Sequence, residues 1–386
     1  MPPKASLETR KKIYRSLCYV LSDRASQVAW DEYTPADWDL FAQMADREGV
    51  APLMYWKLKD SPIEVAPSTF NFLRSTYYQT LAQNTLMYQE LDRILRALDE
   101  VGIPVIVLKG AALAATVYED IGLRPMGDLD LLVHPDVLGS SLKVFLSCSY
   151  AIKKITSYHA VLTRATASQL TIELHWNLVR GEQRPAFDRL DQFLERVEPF
   201  RPSSVPVSLG RAGQLSPGSH WLYLAGHLLM KHPESERRLL WYYDLHALLE
   251  RRLYYFDSDQ LVAAACALGW RSAVAEGLAD LRGRFGTPGL DGLIQALGEA
   301  GDPDPDPVNR IRYSPAPFSI FNLLDWPTRL SLLWDLLFLP PDRIRRRYGR
   351  EGRRHWLRIN LDRWISLSRS LIYHLRVSRI ENKLSK

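Results

Sequence analysis

Two aspartates, Asp128 and Asp130, stand two positions apart in the segment 128–133, DLDLLV. In an extended chain, alternation puts both carboxylates on one face and Leu129 and Leu131 on the other. Two carboxylates so placed cannot both be desolvated and ionised without a counter-charge, because a lone carboxylate costs several kcal/mol or more to bury. A divalent cation meets that need. Hard oxygen ligands suit Mg²⁺ or Mn²⁺, which keep part of their hydration and accept phosphate oxygens.

Upstream, Lys109 and Gly110 end the apolar run 103–108 and open an alanine-rich helical segment headed by Ala111. A tight turn at the head of a helix offers backbone N–H groups to a phosphate, with Lys109 and Arg124 supplying positive charge. Further on, Thr171, Glu173 and His175 alternate with Ile172, Leu174 and Trp176, so a strand there offers Glu173 as a third carboxylate. Singly these signals are weak, since a lone D-x-D is ordinarily a surface pair and a lone Lys-Gly only a turn. Together they are the parts of two-metal phosphoryl or nucleotidyl transfer.

His175 shares the Glu173 face and either contacts substrate, orients the carboxylate or is a structural histidine. Asp244, beside Trp241 and Tyr242, either reaches the cleft from a helix or is a partly exposed helix residue. His227 and His232, five apart, fall on different faces of a regular helix, so no zinc pair of the H-E-x-x-H kind is expected. The Walker and dinucleotide glycine patterns are absent at the strand turns, and no G-x-S-x-G elbow supports a serine hydrolase.

The elements that must position these residues follow from periodicity. Residues 7–98 read as mostly helical, with a long amphipathic helix over 70–98 leading into the strand 103–108, which reads as buried on both faces. A helix over 135–147 and strands near 150–156, 159–166 and 170–178 complete a core. The segment 201–218, rich in Pro, Ser and Gly, reads as a connection, and helices dominate beyond it.

At 386 residues with 46% hydrophobic and 24% charged residues, the chain excludes disordered and collagenous classes and is long enough for two or three packed units. Three scattered cysteines support neither a disulfide scaffold nor a cysteine-built zinc site. The basic segment 1–15 lacks an apolar stretch and cleavage site, and no tract reaches the roughly 20 apolar residues of a membrane span. A cytoplasmic location without a membrane span is expected. The net charge of +5 is uneven, because 341–386 carries 14 basic against four acidic residues. That tail would attract a polyanion, but with interleaved Trp356, Ile359 and Trp364 it reads first as a solvated helix face.

The stretch 108–133, LKGAALAATVYEDIGLRPMGDLDLLV, resembles the signature of the uncharacterised nucleotidyltransferase family within the polymerase-β-like nucleotidyltransferase superfamily. Glu173-Leu174-His175-Trp176 resembles the family's ELHW element, and AGHLLMKH with His227 and LLWYYDLHALL with Trp241 and Asp244 resemble its helical half. The resemblance covers roughly residues 70–250. It implies an α+β fold with a nucleotidyltransferase-type mixed β-sheet core, N-terminal flanking helices and a C-terminal helical domain, divided as 1–85, 86–205 and 206–386. It further implies Asp128, Asp130 and Glu173 as catalytic metal ligands, with Glu173 also placed to deprotonate the acceptor. Lys109, Gly110, Ala111, Arg124, His175 and Asp244 would then hold the nucleotide. One departure stands out: the superfamily has Gly-Ser or Gly-Gly at the turn, where this chain has Gly110-Ala111 and so lacks a phosphate-contacting hydroxyl. The spacing from Gly110 to Asp128 exceeds that usual in the superfamily but agrees with this family.

The expected reaction is transfer of a nucleoside monophosphate from an NTP to a hydroxyl or phosphate, with Mg²⁺ or Mn²⁺ and release of pyrophosphate. The resemblance suggests a saccharide, modified peptide or protein as acceptor. Rival readings are glycosyl transfer from a nucleotide sugar, a non-catalytic nucleotide or polyanion-binding module, and, ranked last, nucleic-acid binding through the tail.

Overall fold

The computed structural model describes residues 6–156, 158–164, 170–178, 197–202, 212–252, 258–268 and 270–299, with residues 321–324 and a few positions up to 364. Helix α1 is Leu7–Leu21, α2 Pro35–Arg47 and α3 Ala51–Leu58. Helix α4, Pro67–Glu100, runs 34 residues, about 50 Å at the α-helical rise. Local chemistry sets these limits. Thr34 and Asp37 form a capping box before α2, with Pro35 at its first position. Helix α4 starts on Pro67 and stops where Gly102, at φ +72°, lets the chain turn back and Ile103 N–H reach Leu98 O at 2.9 Å.

The core follows as β1 (Ile106–Val107), α5 (Lys109–Thr116), β2 (Leu129–Leu132), α6 (Leu138–Ser147), β3 (Tyr150–Ile155), β4 (His159–Arg164), β5 (Thr171–His175), β6 (Val197–Pro199) and β7 (Gly213–Leu215). These strands form one mixed sheet in the order β3-β4-β5-β2-β1-β7-β6. Strand β2 runs antiparallel to β1 and parallel to β5, and β1 runs parallel to β7. The α+β architecture expected from the sequence is the one found.

Two elements differ from the sequence reading. The apolar run 103–108 yields only two ladder residues; its length reflects burial, with Ile103, Val105, Val107 and Leu108 all buried. Residues 213–215, inside the expected connection, form β7 beside β1. Gly213 suits that place because a Cβ there would overlap Val197 of β6. The rest of 203–211 lies outside the described residues, as do the loop 302–307 and most of the basic tail.

Helices α7 (Pro217–Gly226), α8 (Leu239–Arg252), α9 (Ser258–Ala267), α10 (Arg271–Phe285) and α11 (Asp291–Glu299) follow. They share one hydrophobic cluster with the N-terminal helices, from Ile13 and Phe41 to Trp221, Leu245 and Leu281. A second cluster joins the C-terminal half of α4 to α5, α6 and one sheet face through Leu91, Ala112, Leu129, Leu131, Ile172 and Leu174. Helix α4 is thus the beam common to both. Among the described residues, no helix is long and apolar enough to cross a membrane, and the three cysteines are free.

Candidate active site

The alternation that sends Leu129 and Leu131 into the second cluster sends Asp130 and Leu132 to the opposite face. Parallel pairing sets Asp130 beside Glu173 and Leu132 beside His175, and antiparallel pairing brings His159 opposite His175. One face of three adjacent strands therefore collects Asp130, Glu173, His175 and His159. Helix α7 approaches that face, with Tyr223 packed among Leu108, Leu132 and Leu215.

Asp130 is 3% exposed and its Oδ1 accepts from Lys109 Nζ at 2.6 Å and from His175 Nε2 at 2.9 Å. Since a carboxylate only accepts, Nε2 carries the imidazole proton. The same nitrogen lies 3.4 Å from Glu173 Oε2, while His159 Nε2 stands 4.0 Å from Glu173 Oε1. Burial acts against ionising Asp130, but the Lys109 ammonium and the His175 hydrogen bond outweigh it and hold the carboxyl well below the usual range. The His175 hydrogen bond likewise depresses Glu173. Asp128 goes the other way: burial, reinforced by the Asp130 charge, pushes it up to about 6. Negative charge is therefore compensated at Asp130 and undercompensated at Asp128, a pattern an added cation would relieve.

Lys109 deepens the pattern. Burial works against its charge, and Asp130, with Tyr223 and Glu173, overrides this to raise its pKa. The Tyr223 hydroxyl faces the ammonium and adds to this effect; this approach from α7 is not legible in the sequence, where Tyr223 is one aromatic in an apolar helix. The positive φ of the turn falls on Lys109 itself, at +45°, and not on Gly110. A left-handed lysine costs about 1–2 kcal/mol, and strain of this kind concentrates at functional sites. The amides of Lys109, Gly110 and Ala111 precede Ala112, whose N–H reaches Leu108 O at 3.4 Å, so they are the orphan donors of the helix start. Ala111 itself is buried, its carbonyl accepting from Tyr88 Oη at 2.7 Å.

Gly110 is required for a different reason. A Cβ there would overlap the Arg124 guanidinium, which is immobile: its Nε and Nη2 fork onto Asp244 at 2.9 and 2.8 Å, both residues buried, and Tyr118 Oη adds a 2.6 Å bond to Asp244. Arg124 and Asp244 are thus engaged with one another behind the turn, and Asp244, 2% exposed, is no partly exposed helix residue. Asn84 of α4 fixes the intervening loop by donating to Ile121 O and Arg124 O. Gly110→Ala is expected to lower stability by about 1–3 kcal/mol by forcing the fork aside, seen as a lower thermal midpoint; an unchanged midpoint would show that Arg124 yields freely.

His227 and His232 also depart from expectation. The segment His227–Lys231 is a π-helical turn, whose wider i→i+5 repeat brings residues five apart over one another. The two rings lie 5.0 Å apart. Arg237 secures the turn by donating to Leu229 O and His232 O, both at 3.1 Å.

Residues 34–286 match the family model described as "uncharacterised nucleotidyltransferase". The chain belongs to that family. The match begins at the Thr34 cap of α2 and ends at Gly286, the left-handed cap of α10, and so includes the whole sheet face just described. No curated protein matches the chain. In this nucleotidyltransferase, the described residues that gather one donor atom each within 4.8 Å of one another are His159, Glu173 and His175. Of these, His159 carries no signal of its own in the sequence; it becomes visible only through the β4–β5 register. Asp128 and Asp130 stand beside this group, with Asp130 turned to Lys109 and His175.

Proposed function

We propose that the protein is a metal-dependent nucleotidyltransferase that moves a nucleoside monophosphate from an NTP to a hydroxyl or phosphate of its acceptor. The observation that carries this reading is the convergence of Asp130 and Glu173 on one sheet face, with Asp128 electrostatically coupled to both, beside a buried lysine at a helix start. The acceptor oxygen attacks the α-phosphorus, the bond to the β-phosphate oxygen breaks and pyrophosphate leaves. Asp128, Asp130 and Glu173 would hold Mg²⁺ or Mn²⁺, hard cations suited to carboxylate oxygens; when bound, they supply charge neutralisation of the attacking and leaving oxygens.

The chain's own residues divide the remaining work. The amides of Lys109, Gly110 and Ala111 and the Lys109 ammonium face the triphosphate, as anions are held at helix starts. Arg124 and Asp244 act from behind by fixing the turn. His175 orients Asp130 and Glu173 through its single N–H. Glu173, its side chain 21% exposed, is the carboxylate open enough to receive the acceptor's proton as well as to ligate the ion.

The test is incubation with each NTP labelled at the α-phosphate, Mg²⁺ and a cell extract. Label is expected in one acceptor species with matching pyrophosphate, and neither in the presence of chelator. Transfer of the sugar from a nucleotide sugar, or nucleotide binding without any released pyrophosphate, would overturn the proposal. A saccharide, a modified peptide and a protein acceptor separate by the mobility and digestion of the labelled species.

A further inference from the structure

A cleft of about 460 Å³ lies between α1 and the end of α10, far in the chain from the carboxylate face and lined by no residue of the sheet. Its cations are Arg10, Lys11, Arg15 and Arg284, and Tyr14 and Tyr19 contribute aromatic surface. On α1 these positions, 10–11, 14–15 and 19, recur at helical spacing, while Ile13, Leu17, Val20 and Leu21 turn inward to the helical core. The cleft-lining positions thus run along the border of the apolar face, where the core residues Cys18 and Met44 also reach the cleft.

Charge at these positions is not balanced among the described residues. Among the described residues, Arg10, Lys11 and Arg15 have no carboxylate within ion-pair distance, whereas Lys12, outside the cleft lining, pairs with Glu32. Lys11 and Arg15 stand four apart on one helix face, a like-charge arrangement that costs a few tenths of a kcal/mol without an anion between them. Across the cleft Arg284 is built in: its Nη1 donates to Tyr14 Oη at 2.8 Å, its guanidinium lies 4.2 Å over the Tyr242 ring, and its buried Nε has no acceptor. Asp280, 3.6 Å from Nη2, is the carboxylate facing it. Glu48, the other carboxylate near Tyr14 and Cys18, is taken up by Arg47 and by Leu239 N–H. Among the described residues, the four cations lining the cleft outnumber Asp280 and Glu8 of the first turn of α1, and the cleft is positive.

From this arrangement we infer that the α1–α10 cleft is a second binding site, which takes an organic phosphate. Arginine forks match phosphate oxygens, the volume is that of a small-molecule site and not of a bare ion, and the tyrosine rings offer contact to a flat body. Arg10, Lys11 and Arg15 lie outside the 34–286 family match and Arg284 inside it, and none of them belongs to the carboxylate face, so the inference does not rest on the catalytic reading.

Calorimetric titration in chelator, with adenosine 5′-monophosphate, adenosine and glucose 1-phosphate as probes, tests it. Saturable 1:1 binding of the nucleotide is expected, weakened about 100-fold in Arg10→Glu/Arg15→Glu at about tenfold per lost arginine contact, with adenosine at least tenfold weaker than its phosphate. Asp128→Asn should bind like the wild type. Arg15 is exposed and Arg10 half-buried, and Lys11→Glu, at an exposed position, is the second variant if the double one fails to fold. Equal binding of glucose 1-phosphate would support a site read by phosphate alone, and weaker binding one that also reads the base. Undiminished binding in both charge-reversal variants, parity of adenosine with its phosphate, or loss in Asp128→Asn would overturn the inference.

Discussion

Asp130→Asn is expected to lower turnover by at least about 10³-fold and to destabilise the protein at the same time, whereas Asp128→Asn should abolish turnover and leave the metal-free protein as stable or more so. The difference comes from the opposite electrostatic settings of two residues on one strand. Asp130 neutralises a buried ammonium at 2.6 Å, with side chains 4% and 13% exposed, and breaking such a pair by removing one partner costs about 3–5 kcal/mol. Asp128 carries the reverse imbalance. Its folded pKa of about 6 lies above the ordinary aspartate value of 3.8, so the folded state binds the extra proton between those values and stability falls as pH rises through that window. Its ionised form therefore costs at most about 3 kcal/mol above pH 6, by the conversion of about 1.4 kcal/mol per pKa unit. The uncharged amide of Asp128→Asn escapes that penalty. In chelator, thermal midpoints of Asp128→Asn and wild type should coincide near pH 4 and separate by pH 7 in favour of the variant. Equal loss of stability in both variants would refute the assignment of opposite charge balance, and near-normal turnover in either would refute the metal-holding role.

The second large effect is expected at the Arg124–Asp244 pair, which joins the loop before β2 to helix α8 across 120 positions of sequence. Asp244→Ala leaves a guanidinium buried with its fork empty and Tyr118 Oη without its acceptor, and should lower stability by about 3–5 kcal/mol, a large share of the roughly 5–15 kcal/mol that holds a typical fold. Turnover should fall with it, because Arg124 backs the Gly110 turn. Replacing both partners with apolar residues, Arg124→Met with Asp244→Leu, should recover much of the stability but little of the turnover. Denaturant midpoints and pyrophosphate release measure the two separately. If the double variant is as unstable as Asp244→Ala, the loss arises from packing and not from the uncompensated charge.

These outcomes bear on how far the sequence could be read. Strand alternation in DLDLLV and in the segment around Glu173 is a local property, since Cβ atoms alternate in any extended chain. It therefore set Asp130 opposite Leu129 and Leu131, and Glu173 opposite Ile172 and Leu174, as the core cluster bears out, while the β2–β5 register put the two carboxylates on one face. The Lys109-Gly110 turn was likewise legible, and the helices bounded by Pro, Thr and Gly caps largely were. Partnership was not. Which face of α7 would bring Tyr223 to Lys109, that Arg124 would spend its fork on Asp244, and that His159 would arrive beside Glu173 all depend on strand order and on chain segments far apart in sequence. Even the His227–His232 approach required a π-turn, where regular helical periodicity assigns the two to different faces.

Residue type and spacing alone thus determined the chemical inventory of this protein: three carboxylates, a lysine and a helix start. Tertiary structure decided their charge states and their neighbours, because desolvation and Coulomb coupling act through space over a few ångströms and sum over groups that the chain order does not reveal. It also joined the N-terminal and C-terminal helices in one core, since apolar faces bury against whichever surface the fold presents, and so created a basic cleft between α1 and α10 that neither helix shows by itself.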